Sequence, residues 1–180
     1  MAFVRRRGHD PKGVAGGNTG TAVINTVATL LWLAVTLLYI FDTRSAVWSG
    51  RIAFLDNDVA KGLGIALSTV GLLVGIAGGV ALGESFRLAL PRGETRLVTT
   101  GIYRHIRNPC ALGVDLFALG TFLIAPSLLV LLPVVLNVIG YYLKVQAEEV
   151  YLRPTHGGEY EAYCARTGRY LPRVRLTEKE

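Results

Sequence analysis

The sequence predicts an all-α integral membrane protein with about four transmembrane helices, of which the last two form a helical hairpin. Of its 180 residues, 51% are hydrophobic and only 18% are charged, whereas about 25% of the residues of a soluble domain are charged. The charged residues also leave long stretches of the chain free, each of bilayer-spanning length. This composition excludes a disordered chain and a disulfide scaffold, and it disfavours a soluble globule.

Two uncharged stretches each predict one transmembrane helix. Residues 21–41 and 62–83 contain no Asp, Glu, Lys or Arg, and about 20 apolar residues are enough to cross the hydrocarbon core. The alternative for a single stretch is a buried helix of a large soluble protein. Because 180 residues leave too little polar chain to cover three such stretches, we favour the membrane.

The third stretch lies between Arg107 and Lys144 and contains a single charge, Asp115. One helix of this length would be about 54 Å long, which is too long for a bilayer of about 30 Å. The segment Ala125-Pro126-Ser127 predicts a turn, since proline disfavours helix at the residue before it. We therefore expect a hairpin of helices over 109–124 and 128–146.

The whole chain, 1–180, is predicted to be a single membrane domain. Its parts are an N-terminal segment (1–20), two spans (21–83), a loop with the helical hairpin (84–146) and a tail (147–180).

The basic residues predict the orientation in the membrane. Of the 19 Lys and Arg, 16 precede the first span, follow the second or lie in the tail. Because Lys and Arg are enriched on the cytoplasmic side, we expect both termini and the loop to be cytoplasmic. The net charge of +6 is then explained by topology, and no nucleic-acid partner is expected because no soluble domain is present to bind one.

Common catalytic and metal-binding motifs are absent from the sequence. Cys110 and Cys164 form no CxxC pair, and His9, His105 and His156 are isolated, so no metal site is expected. There is also no GxGxxG after a strand, no P-loop and no GxSxG. Polar residues are concentrated instead at the cytoplasmic ends of the last two predicted helices.

Three charged residues at these ends are candidates for function. Lys144 and Glu148 are four residues apart and share one helix face. They form either an ordinary interfacial ion pair, with a snorkelling lysine, or part of a site. Asp115 lies inside the third span, where a carboxylate costs at least ~2.5 kcal/mol. Both a helix-packing role near the surface and a functional role are open for it.

The loop and the tail carry two linked motifs. The loop reads Leu97-Val98-Thr99-Thr100-Gly101-Ile102-Tyr103, followed by Arg107-Asn108-Pro109. The tail contains Glu148-Glu149, Leu152, Gly157, Glu159-Tyr160, Tyr163 and Arg169-Tyr170-Leu171-Pro172. In order and spacing, over 97–172, they resemble the two signatures of the isoprenylcysteine carboxyl methyltransferase and phospholipid methyltransferase superfamily.

The resemblance implies a multi-pass membrane enzyme that transfers a methyl group from S-adenosylmethionine to a lipid or other lipophilic acceptor. It implies that the cofactor is bound by Leu97, Val98, Tyr103, Asn108, Pro109 and Glu148. Lys144 stands where related enzymes have an arginine near the substrate, so Lys144 and Glu148 are the expected catalytic residues. The tail is expected to fold over the cofactor as a lid, with Tyr160 and Tyr163 packing it.

Several positions depart from the superfamily pattern. Asn108 replaces a histidine, Ala111 a tyrosine and His156 a phenylalanine, and lysine at 144 lacks the bidentate fork of arginine. These changes weaken an isoprenylcysteine acceptor more than they weaken the cofactor. The acceptor atom (oxygen, nitrogen or sulfur) and the oligomeric state are left open.

Two other functions are compatible with the sequence. One is an NADPH-dependent membrane reductase of the sterol-reductase type, which carries a related C-terminal pattern. The other is a non-enzymatic four-span transporter or scaffold.

Overall fold

The computed structural model describes residues 11–41, 50–83 and 97–173. These residues form five α-helices and no strand: α1 (Pro11–Phe41), α2 (Asp58–Leu82), α3 (Pro109–Ile124), α4 (Leu128–His156) and α5 (Gly158–Arg166). Two short 3-10 turns lie between them, Ala53–Leu55 and Gly101–Arg104. The predicted all-α fold is therefore confirmed.

Within the described ranges, three helices are long and apolar enough to cross a membrane, namely the Gly20–Tyr39 part of α1, α2 and α4. The hairpin helix α3 is apolar but has only 16 residues, which gives it a length of about 24 Å. Leu63 and Leu73 are each 60% exposed and Val80 is 77% exposed. A large exposed apolar surface is typical of helices that face lipid, and the chain is an all-α membrane protein.

The ends of the helices follow from local sequence. Asn57 caps α2 by accepting a hydrogen bond from the Ala60 N–H at 2.9 Å, and Gly83, with φ +49°, follows its last turn. Ser127 caps α4 by accepting from the Val130 N–H at 3.3 Å. Pro109 begins α3, where its missing N–H costs nothing. The predicted turn over 125–127 is present.

The last hairpin helix is longer than predicted. It was expected to end at residue 146, but α4 continues to His156 and ends before Gly157, which has φ +54°. The membrane limits the length of the apolar part only, and the sequence after residue 146 is rich in good helix formers such as Glu148 and Glu149. The first part of the predicted tail therefore belongs to α4.

The interface between α2 and α3 is built from small residues. A Cβ added at Gly71 would lie 2.6 Å from both the Gly113 carbonyl oxygen and the Phe117 nitrogen. Ser68 donates a hydrogen bond from its hydroxyl to the Phe117 carbonyl across the same interface, at 3.4 Å. Small residues allow helix backbones to approach closely in a membrane, so α2 and α3 meet backbone to backbone.

On the other side of α3, α1 and α4 pack through larger side chains. Val35 of α1 and Val134 of α4 belong to one buried cluster with Ala118 of α3. Trp32 of α1 donates its indole N–H to the Thr121 hydroxyl at 3.0 Å and meets the Phe117 ring edge-on, with centroids 5.6 Å apart. The helices are thus arranged in the order α2, α3, α4 and α1.

The connecting segments lie at two opposite ends of this bundle. At one end the Ile52 N–H donates to the Pro126 carbonyl at 2.8 Å, and Asp56 forms ion pairs with both Arg51 and Lys61. At the other end the 97–108 segment meets the 157–173 segment. Nine of the 19 basic residues lie outside the described residues: Arg5, Arg6, Arg7, Arg44, Arg87, Arg92, Arg96, Arg175 and Lys179.

Candidate functional site

The two sequence motifs meet at one end of the bundle, in a contact that we call the loop–tail junction (residues 101–108 against 163–169). The Arg107 N–H donates to the Gly168 carbonyl at 2.9 Å, and the Tyr163 hydroxyl donates to the Tyr103 carbonyl at 2.7 Å. Residues about 60 positions apart in sequence are thus held together by one main-chain hydrogen bond and one from a side chain.

A buried carboxylate at the end of α4 stabilises the loop–tail junction. Glu149 accepts one hydrogen bond from Arg107, at 3.1 Å, and two from Arg169, at 3.0 and 2.5 Å. Arg107 also donates to the carbonyls of Cys164 and Thr167. Bidentate arginine–carboxylate pairs are among the strongest hydrogen-bonded contacts in proteins. One glutamate therefore connects the loop, the helix and the tail.

Buried tyrosines fill the space behind these ion pairs. Tyr160 is 2% exposed and Tyr163 is 3% exposed, with ring centroids 6.2 Å apart. Burial raises the pKa of the Tyr163 phenol to about 12, and burial together with the Glu149 charge raises the pKa of Tyr160. Both phenols stay protonated at neutral pH, which lets Tyr163 act as a hydrogen-bond donor.

Lys144 and Glu148 lie on α4 just before Glu149 and are less buried than it. The Lys144 Nζ is 3.3 Å from the Glu148 carboxylate, and their side chains are 25% and 31% exposed. The same ammonium lies 5.7 Å from the centroid of the Tyr141 ring. The predicted sharing of one helix face is confirmed. Both side chains also remain partly accessible.

The residues expected to bind the cofactor are distributed between this region and the loop–tail junction. Tyr103 is buried, with its hydroxyl 3.6 Å from the Cys110 sulfur, and it lies within electrostatic range of Glu148. The Asn108 side-chain amide donates to the Arg169 carbonyl at 3.3 Å. Pro109 is fully buried and would contact a Cβ at Gly78, while Leu97 and Val98 are half-buried.

Asp115 faces the inside of the bundle near the same residues. Its Oδ1 atom is buried and has no hydrogen-bond partner within the described part of the chain. It lies within electrostatic range of Tyr141 on α4. Burial, followed by the Asp115 charge, raises the pKa of Tyr170 in the tail. Asp115 thus lies near Tyr141 and Tyr170, beside the candidate site.

The ion pairs of Glu149 were missed by the sequence analysis. A site role is predicted for Glu148 and none for Glu149, although both belong to the same motif. A usable signal was present, because Arg107 and Arg169 belong to the two linked motifs and a buried arginine requires a carboxylate.

Chemically, this end of the bundle offers two environments. The loop–tail junction is internally satisfied, with Glu149 neutralised by two arginines. The region of Tyr103, Asp115, Tyr141 and Glu148 instead has two carboxylates without an arginine partner among the described residues. Such a region can hold a ligand that carries positive charge. Across the described ranges, no group of three His, Cys, Asp or Glu residues could hold a metal ion.

The fold and the arrangement of these residues define a helical membrane protein with a cluster of polar and charged side chains at one end of its bundle. The sequence model of the phospholipid methyltransferase family matches residues 59–158, which is more than half of the chain. The chain therefore belongs to the phospholipid methyltransferase family and is a membrane methyltransferase. No curated protein and no protein of known structure gives a significant match to it.

The matched residues cover α2, α3 and α4, including Lys144, Glu148 and Glu149. They also include the motif residues of the loop from Leu97 to Pro109. Helix α1 and Arg169 lie outside the match.

Proposed function

We propose that this protein transfers a methyl group from S-adenosylmethionine to a lipophilic acceptor in the membrane. The observation that carries the proposal is the position of the Lys144–Glu148 pair beside Tyr103, at the end of the bundle where the two motifs interlock. Family membership supports the reaction class. The identity of the methyl donor and the class of the acceptor go beyond family membership and are our proposal.

The charges of the candidate site fit this cofactor. S-adenosylmethionine carries a positively charged sulfonium and an ammonium group, and its reactive methyl group is electrophilic. Glu148 is partly exposed and has only Lys144 as an ion-pair partner within the described residues, and Asp115 has a buried acceptor atom without a partner. We assign Tyr103, Glu148 and Asp115 to direct cofactor contact, together with Leu97 and Val98 of the motif. Asn108 and Pro109 shape the pocket by fixing the loop.

In this proposal Glu148 positions the cofactor and Lys144 positions the acceptor. Glu148 attracts the cationic part of the cofactor, while Lys144 orients an oxygen-rich group of the acceptor, since an ammonium is a strong donor to anions. A carboxylate acceptor needs no base. An amine acceptor must lose a proton, and Asp115 is the carboxylate with an unused acceptor atom in position to receive it.

In this proposal the loop–tail junction keeps water out of the site of methyl transfer. Methyl transfer requires in-line alignment of the two reacting groups and a dry site. The Glu149 ion pairs and the buried tyrosines hold the tail over the end of α4. The topology that we propose has four spans, with both termini and the loop–tail junction in the cytoplasm, where the cofactor is available.

The test is isothermal titration of the purified protein in a neutral detergent with S-adenosylmethionine and with S-adenosylhomocysteine. We expect binding by the wild-type protein and no measurable binding by Glu148→Ala. Glu161→Ala on α5 serves as the matched control, because Glu161 is 55% exposed and its ion-pair partner among the described residues is Arg153. Absence of binding at millimolar ligand would refute the proposal.

The alternatives give different results in the same preparation. A reductase would show a thermal shift with NADPH and none with S-adenosylmethionine. A transporter would show flux in proteoliposomes that persists in Glu148→Ala.

A further inference from the structure

The segment that follows α5 brings a phenol to the beginning of α3. The Arg169 carbonyl accepts two hydrogen bonds from Asn108, one from its main-chain N–H at 3.2 Å and one from its side-chain amide at 3.3 Å. Asn108 directly precedes the first residue of α3. Tyr170, the next residue of the tail after Arg169, is half-buried. The main-chain position of Tyr170 is therefore fixed beside the start of α3.

Asp115 lies on the side of α3 that faces α4, about 10 Å further along the helix than Asn108. Gly113 and Phe117, two residues away on either side, contact α2. Ala118, three residues after Asp115 and on the same face, packs with α1 and α4. The carboxylate of Asp115 thus points away from α2 and into the region where α3, α4 and the tail meet.

This carboxylate lacks the contacts that stabilise a buried charge. Its Oδ1 atom is buried without a hydrogen-bond partner among the described residues, and a buried carboxylate stays ionised only when hydrogen bonds or an opposite charge replace the lost water. Burial and then the Asp115 charge are the two largest causes of the raised pKa of Tyr170, so this phenol is protonated at neutral pH and can donate. Tyr141 is a second phenol within range of Asp115, but the Lys144 ammonium affects it more strongly.

We propose that the Tyr170 phenol donates a hydrogen bond to Asp115 in the cofactor-bound protein, and that the ionised Asp115 distinguishes the sulfonium of the methyl donor from the neutral sulfur of its product. Tyr170 is then a positioning residue that acts through Asp115. It lies outside the family match. The inference rests on the proposed function, which places Asp115 in contact with the cofactor.

The two carboxylates without an arginine partner differ in a way that assigns their roles. Glu148 is 31% exposed and is paired with Lys144, whereas the Asp115 Oδ1 atom is fully enclosed. Because the reacting sulfur must be kept from water, we assign it to Asp115 and the amino-acid end of the cofactor to Glu148. The electrons of the broken carbon–sulfur bond remain on sulfur, so the positive charge that Asp115 attracts is gone after transfer. The pair therefore favours exchange of product for fresh donor.

Isothermal titration of the detergent-purified full chain tests the proposal through the ratio of its affinities for S-adenosylmethionine and S-adenosylhomocysteine. We expect Asp115→Asn to weaken binding of S-adenosylmethionine about tenfold relative to S-adenosylhomocysteine, the scale of one contact to a charged group. Tyr170→Phe should shift the ratio in the same direction. The double variant should shift it no further than Asp115→Asn does, because the two residues act through one contact.

Matched variants control for the substitutions themselves. Glu159→Gln removes an exposed carboxylate of α5, and Tyr39→Phe removes a phenol two residues before the end of α1. Both should leave the ratio unchanged. Thermal unfolding without ligand shows that each variant is folded. Tyr141→Phe tests the second phenol near Asp115, and a shifted ratio there but not in Tyr170→Phe would overturn the assignment of Tyr170.

The remaining outcomes separate this inference from the proposed function. A ratio that is unchanged in Asp115→Asn or in Tyr170→Phe overturns the inference, and this includes equal weakening of both ligands, which is the result expected if the phenol only fastens the tail. The proposed function survives that result, because the wild-type protein binds the cofactor. Failure of the wild-type protein to bind either ligand refutes the proposed function and this inference with it.

Discussion

Glu149, which stabilises the loop–tail junction, and Glu148, which pairs with Lys144, are adjacent residues of α4, yet their electrostatic environments differ. Glu149 has a side chain that is 7% exposed and it is bound by two arginines. Glu148 is 31% exposed and has a single lysine at 3.3 Å as its ion-pair partner among the described residues. The Glu149 carboxylate is occupied by ion pairs within the fold. The Glu148 carboxylate is still partly accessible to a ligand.

This difference separates structural from functional charge. A buried ion becomes expensive when its partner is removed, because the remaining charge stays out of water. A partly exposed pair on a helix contributes only about 0.3–0.5 kcal/mol. Substitutions in the junction should therefore reduce stability first, and substitutions in the Lys144–Glu148 pair should reduce function without reducing stability.

Glu149→Gln is expected to have the largest effect on stability. It leaves Arg107 and Arg169 facing a neutral amide, which we expect to cost about 3 kcal/mol, the lower end for a buried pair because Arg169 is 38% exposed. The midpoint of thermal unfolding in detergent should fall by about 6–12 °C. Glu159→Gln, an exposed carboxylate on α5, is the control. Equal shifts for the two variants would contradict the structural role of Glu149.

Arg107→Lys should destabilise the junction by about 2 kcal/mol while keeping its charge. The guanidinium contacts Glu149 and the carbonyls of Cys164 and Thr167 together, a set that one ammonium cannot reproduce. Limited trypsin digestion should cleave the tail faster than in the wild-type protein. Arg153→Lys, whose pair with Glu161 is exposed on both sides, should digest like the wild type; the same acceleration there would argue against a specific role of Arg107.

Tyr163→Phe removes the 2.7 Å hydrogen bond to the Tyr103 carbonyl and should cost about 1–2 kcal/mol. Because burial raises the pKa of Tyr163 from 10 to about 12, the folded state favours the neutral phenol. Its contribution to stability is complete below pH 10 and is lost as the pH rises from 10 towards 12. Thermal unfolding measured between pH 8 and pH 11.5 should therefore show a steeper alkaline decline in the wild-type protein than in Tyr163→Phe. Parallel declines would show that this phenol does not titrate with the fold.

Lys144→Gln is expected to change stability least, by about 0.5 kcal/mol or less. It should spare binding of S-adenosylhomocysteine and lower methyl transfer about 100-fold, the scale expected when a reactant is misplaced. Transfer from a labelled methyl donor to a membrane lipid extract gives the measurement, and thermal unfolding gives the control. Normal turnover in this variant would remove Lys144 from the site.

Local rules in the sequence predicted much of this structure. The hairpin turn over 125–127, the helix start at Pro109 and the Lys144–Glu148 pair depend on neighbouring residues only, and all three are present. The partners of Glu149 lie 42 residues before it and 20 residues after it. Successive helix residues point about 100° apart, and no local pattern determines which of two adjacent carboxylates faces a distant loop.

The contact of Asn25 with α4 shows the same limit. Asn25 is visible in the sequence as an amide within an apolar span. Its surroundings depend on Gly140, which lies 115 positions later in the chain and leaves room for the amide. That contact exists only after α1 has packed against α4.

The glycine contact of α2 with α3 has a consequence for how ligands could enter. The backbones of α2 and α3 touch with no side chain between them, so a change of side-chain rotamer cannot separate the two helices. We therefore expect these two helices to move as one rigid unit. The seam of α1 with α4 is closed by side chains such as Val35 and Val134, which can rearrange. If the proposed acceptor is a long-chain molecule, we therefore expect it to enter between α1 and α4, while the close packing of α2 against α3 holds the helix that begins at Pro109 in place.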